Sequence, residues 1–375
     1  MGIIDWAPGL DFGKGYDNLR GEAKQQAVLG TGVPPVNAAG QTGGSNMILT
    51  QTSEDFDQAI GIDVDASAQV GLFGGGAKFG FKQRCKVSSQ ATFCIVSVLA
   101  RNAYEQIPNP ALSPEAWELL ENRNTKRFRE RFGDLFVSGR FVGVEFYGVV
   151  RIEASDVQKQ LDIATKVQAS YGFFAKGEVN VNFSESMQSS SQRIEIHTYQ
   201  TGGSVQFCNS LQDMFALAQS ALDEGRNGRG YPFAVMVDRY DELKLPNDNA
   251  SLVEIEAARR ALKRLAEHTK ALTKMQNDIN FVLRNQAWFD SPDVARLNAA
   301  SQQITREINT IVDQADLCSR DFDQCRDYAP TYPEFATPPR KAGPPRPTLS
   351  DHEREKQRWI RDEILHGGPG IMVGG

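Results

Sequence analysis

The chain has 375 residues, 40% of them hydrophobic and 23% charged, an ordinary globular composition that supplies a large core and excludes a disordered or collagen-like chain. Lys and Arg number 41 against 47 Asp and Glu, a formal charge of -6, so the basic footprint of a general nucleic-acid binder is missing and no nucleic-acid partner is expected. No apolar stretch of about eighteen residues occurs, which excludes an ordinary transmembrane helix.

The opening residues hold neither a charged n-region nor an apolar h-region, so release without a recognisable signal peptide is expected. Trp6 and Phe12 can pack in a short N-terminal segment, and residues 30–46 form a Gly/Pro/Asn loop. From Ile48 to about Leu99 the pattern is strand-like. Ser113, Pro114 and Glu115 start a helix that carries Trp117, Leu120, Phe128 and Phe132 and stops at Gly133. The run Leu135 to Ile152 reads as one or two core strands, Ser210 to Leu222 as a helix ending at Gly225, and Tyr231 to Tyr240 as a final strand.

Composition changes at Ser251. Ile255, Ala258, Leu262, Leu265, Thr269, Leu272, Gln276, Ile279 and Leu283 alternate spacings of three and four, and Leu297, Ile304, Ile308, Ile311 and Ala315 make a returning helix. Residues 251–322 are therefore an antiparallel helical hairpin with its turn near Pro292. Seven prolines between Ala329 and Pro347 mark an extended linker, and Ser350 with Glu353 caps a short last helix before Gly367 and Gly368. The organisation expected is 1–250 as the main body, 251–328 as the hairpin, 329–348 as the linker and 349–375 as a C-terminal helix and tail.

Two segments stand out by strand periodicity. Between Ile60 and Leu72 every even position is apolar (Ile60, Ile62, Val64, Ala66, Ala68, Val70, Leu72) and every odd one is Gly or polar. Gly74, Gly75 and Gly76 supply a turn, after which Phe79 and Phe81 resume the alternation, so the region reads as one hairpin. In the second segment Leu161, Ile163, Val167, Ala169, Tyr171 and Phe173 share one face, continued by Val179, Val181 and Phe183. The same residues also permit a helix, with Ser155 and Gln158 as a capping box and Val157, Leu161, Ala164, Val167 and Tyr171 on one stripe. An ordinary two-layer sheet with one wet face explains both alternations. So does a pair of transmembrane β-hairpins, since about nine to eleven alternating residues per strand span a bilayer. Two hairpins cannot close a barrel, so many subunits would have to share one.

Chemistry-bearing motifs are weak. The phosphate-loop-like GLFGGGAK at 71–78 places Phe79 where a magnesium-binding hydroxyl belongs, and His197 on its strand reads as a lumen or surface residue rather than a base. Five cysteines without a CxxC and four scattered histidines leave no expected metal site or cofactor, and no disulfide is required. Cys318 and Cys325, seven apart on one helix face, read as buried apolar positions with pairing to a partner as the alternative. No enzyme is expected.

The stretch 128–152, FRERFGDLFVSGRFVGVEFYGVVRI, resembles the signature region of the membrane-attack-complex/perforin family, in which a helix runs into an aromatic-Gly-Thr-His-aromatic motif and a core strand. Phe132, Gly133 and Phe136 match, while Asp134 and Leu135 stand where the family has Thr and His. The order of a GKGYD segment (Gly13 to Asp17), an alternating region, the signature, a second alternating region and the pair Gly202 and Gly203 is similar as well. The resemblance implies a divergent member with an α+β fold: a bent, twisted antiparallel sheet flanked by two compact helical clusters, here followed by the helical hairpin. It implies that the clusters unfurl into membrane-inserting hairpins after ring assembly on a membrane, with Gly202 and Gly203 as a hinge; a turn after the Tyr199 strand is the alternative for that pair. Expected partners are target-cell membrane lipid, a homo-oligomeric ring and a separate receptor-binding protein. A non-lytic scaffold or adhesion protein on the same fold, or one component of a two-component pore, is the alternative function.

Overall fold

In the computed structural model, the described residues are 2–33, 42–62, 76–175, 192–201, 208–228, 230–246, 252–321, 324–325 and 328–341. The run of Val, Phe, Tyr and Gly after the signature forms a single strand of 20 residues, β8 (Leu135–Ala154), buried along nearly its whole length. Such a strand needs neighbours on both edges and cover on both faces, and it has them. Along one edge β10 (Tyr231–Arg239) pairs with its first half and β9 (Gln192–Thr201) with its second, both antiparallel. Along the other edge lies β6 (Thr92–Gln106), which in turn pairs with β5 (Thr42–Thr50). The sheet is completed by β1 (Gly2–Asp5) on β10, and by β2 (Lys14–Asp17), which meets β8 at Phe136 and carries β3 (Glu22–Gln26). A two-stranded sheet joins β4 (Val28–Leu29) to β7 (Ala111–Leu112). The α+β architecture with a large antiparallel sheet is as expected.

Among the described residues the strand-like reading of 48–99 holds only at its ends. Residues 53–59 form α1 (Ser53–Ala59), capped by the Thr52 hydroxyl, which accepts from the Asp55 amide, and 77–85 form α2 (Ala77–Cys85). The one helix expected from Ser113 to Gly133 is two, α3 (Pro114–Glu121) and α4 (Thr125–Phe132), because the chain turns at Arg123 with φ 55° and Asn124 caps anew. The described first part of the second alternating segment is α5 (Val157–Ala175), its helical alternative. Its cap is Asp156, whose carboxylate accepts from the Gln158 amide at 2.7 Å, rather than the expected Ser155 box. Then follow α6 (Leu211–Arg226), capped by Ser210, and the hairpin of α7 (Leu252–Arg284) and α8 (Val294–Arg320).

Side chains alternate across the sheet into two cores. Phe93, Ile95, Tyr147 and Val149 face a layer containing Phe56, Ile60, Phe81, Leu262, Leu265, Leu272 and Ile304, so α1, α2 and the α7–α8 hairpin share one core with the sheet. Cys94, Val96, Phe146, Val150 and Ile152 face Ile163, Val167, Met214 and Leu217 of α5 and α6. The hairpin seam is buried at Ala258, Leu262, Leu265, Leu272 and Ile279. Cys318 and Cys325 are joined in an intrachain disulfide; Cys325 lies past the end of α8, so the two do not share a helix face. A bridge of seven residues' separation closes only a short loop, which sequence spacing did not predict.

At the signature, Gly133 adopts φ 75°, and a Cβ there would overlap the Tyr16 carbonyl; a Cβ on Gly15 would overlap the carbonyl of Phe132. The GKGYD strand and the signature therefore approach backbone to backbone, and the Asp134 amide donates to Tyr16 at 3.0 Å. Phe132 and Phe136 are both 1% exposed, and the Tyr240 hydroxyl donates to the Phe132 carbonyl at 2.8 Å. Gly133→Ala should cost about 2 to 4 kcal/mol, combining left-handed backbone strain with the steric overlap. Chemical denaturation of the purified variant measures it, and a loss under about 0.5 kcal/mol would show that the contact yields.

Candidate functional site

The register of the sheet brings the two candidate segments together. Thr50 pairs with Phe93, Thr92 with Ile152, and Ala154 with Gln192, so β5, β6, β8 and β9 are consecutive neighbours whose ends lie level at one end of the sheet. Residues 51–91 connect the first two strands there, and 155–191 connect the last two. Each candidate segment is thus the connection of an antiparallel neighbour pair.

The sequence-predicted inserting residues fall as follows. Ile60 and Ile62 are buried directly after α1, at 0% and 8% exposure. Val64, Ala66, Ala68, Val70 and Leu72 lie outside the described residues. Phe79 and Phe81 are on α2 rather than a strand, with Phe81 fully buried against Tyr199 at 5.7 Å between rings. Leu161, Ile163, Val167, Ala169, Tyr171 and Phe173 are on α5; Ile163 and Val167 point into the core, and Tyr171 packs edge-on against Phe215. Val179, Val181 and Phe183, and the proposed hinge Gly202 and Gly203, lie outside the described residues.

The helix period of α2 escaped the sequence because its inward stripe, Lys78, Phe81, Lys82 and Cys85, is half cationic. The carboxylates that neutralise it come from elsewhere in the chain. Lys78 reaches Glu145 of β8 at 2.7 Å and Asp5 of β1 at 3.4 Å, and the Tyr147 hydroxyl donates to the same Glu145 oxygen at 2.8 Å. Lys82 pairs with Asp57 of α1, itself bonded to Lys270 of α7 at 2.9 Å. Burial pushes Glu145 up from the ordinary carboxylate range, opposed by Lys78, and lowers Lys82, opposed by Asp57. Buried pairs of this kind are specific rather than strongly stabilising, because desolvation offsets most of the Coulomb gain.

The hairpin secures the end of the first segment. The Asp278 carboxylate of α7 accepts from the hydroxyls of Ser88 and Ser89 at 2.7 and 2.9 Å and from the Ser89 amide at 2.8 Å, and the Asn277 amide donates to the Val87 carbonyl at 2.9 Å. Beside it, Arg151 of β8 is 1% exposed, pairs with Glu153 and reaches Glu195 of β9 at 3.1 Å; Glu153 is fully buried and reaches Arg284 of α7 at 2.8 Å. His197 stands 3.8 Å from Glu195, and it, with the guanidiniums of Arg151 and Arg284, holds that carboxyl down to about 2.

The sequence reading singled out only two of these charged groups, His197 and the Lys78 of GLFGGGAK, and neither as part of a buried ion pair. Lys78, Lys82 and Lys86 recur at helical spacing and were the one available signal. Among the described residues no helix is long and apolar enough to cross a membrane, and no group of three His, Cys, Asp or Glu could hold a metal ion.

No protein-family model matches the chain, and no curated protein does. Solved structures similar to it include stonustoxin, at 11% identity and a TM-score of 0.47 over 86% of this chain and 43% of that one. They also include a non-hemolytic pneumolysin from Streptococcus pneumoniae, at 11% identity and a TM-score of 0.31 over 56% of this chain and 41% of that one. A putative cell invasion protein with a MAC/Perforin domain follows at 10% identity and 0.24, over 44% of this chain and 41% of that one. The chain spans less than half the length of each of these three.

Proposed function

We propose that this chain is a pore-forming protein of the perforin-like class that assembles as a ring on a target membrane and inserts two β-hairpins per subunit into a shared barrel. The observation that carries the reading is the placement of both amphipathic segments as connections between neighbouring antiparallel strands that end level. Extending residues 51–91 and 155–191 would lengthen β5, β6, β8 and β9 without changing their order or direction. Each segment offers roughly eighteen to twenty residues per strand, against about nine to eleven needed to span a bilayer.

Assembly follows from the same strands. Among the described residues β5 pairs only with β6 and β9 only with β8, so two edges of opposite direction flank the four-strand set. Pairing β9 of one copy with β5 of the next continues the antiparallel alternation and removes the edges, which a barrel in lipid requires. The protein would be released to act at a target membrane, with membrane lipid and, through a separate receptor-binding protein, a surface receptor as partners.

Dye release from liposomes together with electron microscopy of the lipid-bound protein tests the reading. Val64→Arg, on the apolar face of the alternation, should abolish release, since a cation facing the bilayer midplane costs about 2 to 4 kcal/mol per subunit. Asp65→Asn on the opposite face should leave release intact. Equal effects of the two would sink the facing assignment, and rings without release from the unmodified chain would favour a non-lytic scaffold or a missing second component.

A further inference from the structure

The described part of the proline-rich stretch, 328–341, lies along the hairpin: Tyr332 hydrogen-bonds His268 at 2.8 Å, and Phe335 packs against the shared core. Its end is fixed to the turn between α7 and α8 by two backbone bonds, from the Asp290 amide to the Pro339 carbonyl and from the Lys341 amide to the Trp288 carbonyl, both 2.9 Å. These hold Arg340 over the rings of Phe281 and Phe289, with 5.4 and 5.9 Å from its guanidinium to the centroids.

From there the guanidinium reaches both junctions between candidate segments and sheet. Nη2 donates to the Gln90 carbonyl at 2.5 Å, two residues before β6 begins. Nη1 donates to the Ala154 carbonyl at 2.7 Å, the last residue of β8, and to Oε1 of Gln160 on α5 at 3.3 Å. Gln160, 2% exposed, also donates to the Thr92 hydroxyl at 2.8 Å, and that hydroxyl accepts from Gln51 at 3.0 Å. One network therefore joins the start and end of the first segment, the start of the second, and the proline-rich stretch 328–341, here the tail.

We propose that Arg340 is a latch that keeps both segments packed on the sheet until the tail is displaced. The proposal rests on the reading that these segments leave the sheet. The Gln90 carbonyl belongs to backbone that a lengthened β6 would take into its own ladder, so extension competes with the guanidinium for it. A planar fork with two bonded nitrogens, stacked on two rings, is suited to hold two backbone carbonyls at once in a way that a flexible ammonium is not. Because a single side chain serves both junctions, lifting the tail frees the two segments together.

Hydrogen exchange of the soluble full chain tests the latch without any membrane. Arg340→Ala should speed exchange at residues 86–91 and 155–165 by about tenfold or more, while amides in the β6–β8 ladder keep their protection. Arg320→Ala, which removes an exposed pair with Asp316 on the same hairpin, should change neither. In liposome assays the Arg340 variant should release dye with a correspondingly shorter lag. Unchanged exchange at both junctions, or exchange rising equally throughout β6 and β8, would overturn the latch. If the unmodified chain releases no dye, the reading that it forms pores by itself fails, and exchange still decides the latch.

Discussion

Arg151→Ala is expected to lower the free energy of unfolding by about 3 to 5 kcal/mol, the cost of removing one member of a buried ion pair. Glu153, fully buried, would keep only Arg284 at 2.8 Å and the half-exposed Arg193 at 3.7 Å. Arg151→Met combined with Glu153→Leu should recover more than half of the loss, because it removes both charges rather than one. Acid adds a second signature. A carboxyl whose folded pKa is depressed stabilises the protein fully above its unfolded value and loses that contribution as pH falls through the folded one. Glu195, held at about 2 by His197, Arg151 and Arg284, contributes stability that is lost between roughly pH 4.5 and 2. Without Arg151 its folded pKa rises, so the acid-unfolding midpoint should move upward. Denaturant titrations at pH 7 and an acid titration followed by circular dichroism measure the two effects, and an unmoved acid midpoint would show that Arg151 does not govern Glu195.

Valine at both Gly202 and Gly203 is expected to abolish dye release while leaving membrane-bound oligomers. The pair directly follows β9, the strand that the second segment would have to lengthen. Branched side chains narrow φ and χ1 at the pair and so oppose any change of backbone angle there, while β5 and β9 keep their own sequences. Sedimentation with liposomes and dye release, measured on the same preparation, separate the steps. Release at the level of the unmodified chain would show that no hinge acts at this pair, and loss of folding would make it a structural turn.

Local chemistry determined much of this protein. Ser113 before Pro114, Ser210 before α6, the three-and-four spacing of Leu262, Leu265, Thr269 and Leu272, and the long run from Leu135 are short-range patterns, and each specifies an element without help from distant residues. Gly133 was legible for the same reason, since a glycine at a helix end marks a special backbone, whereas Phe136 entered only through the resemblance. Tertiary structure decided the rest. Residues 77–85 alternate like a strand, and they are helical because Glu145, Asp5 and Asp57 accept two lysines into the core. No local pattern encodes that, because a lysine reads as a surface residue until a buried carboxylate faces it. The second segment permits both periods, and burial of Gln160, Ile163, Ala164 and Val167 against β6 and β8 selects the helix. Arg340 is the extreme case: it bonds partners 250 and 186 residues away, and its surroundings in the sequence are prolines. Sequence periodicity determined which segments are amphipathic, and long-range burial, of paired charge in residues 77–85 and of mainly apolar side chains in α5, decided that these described parts are helical.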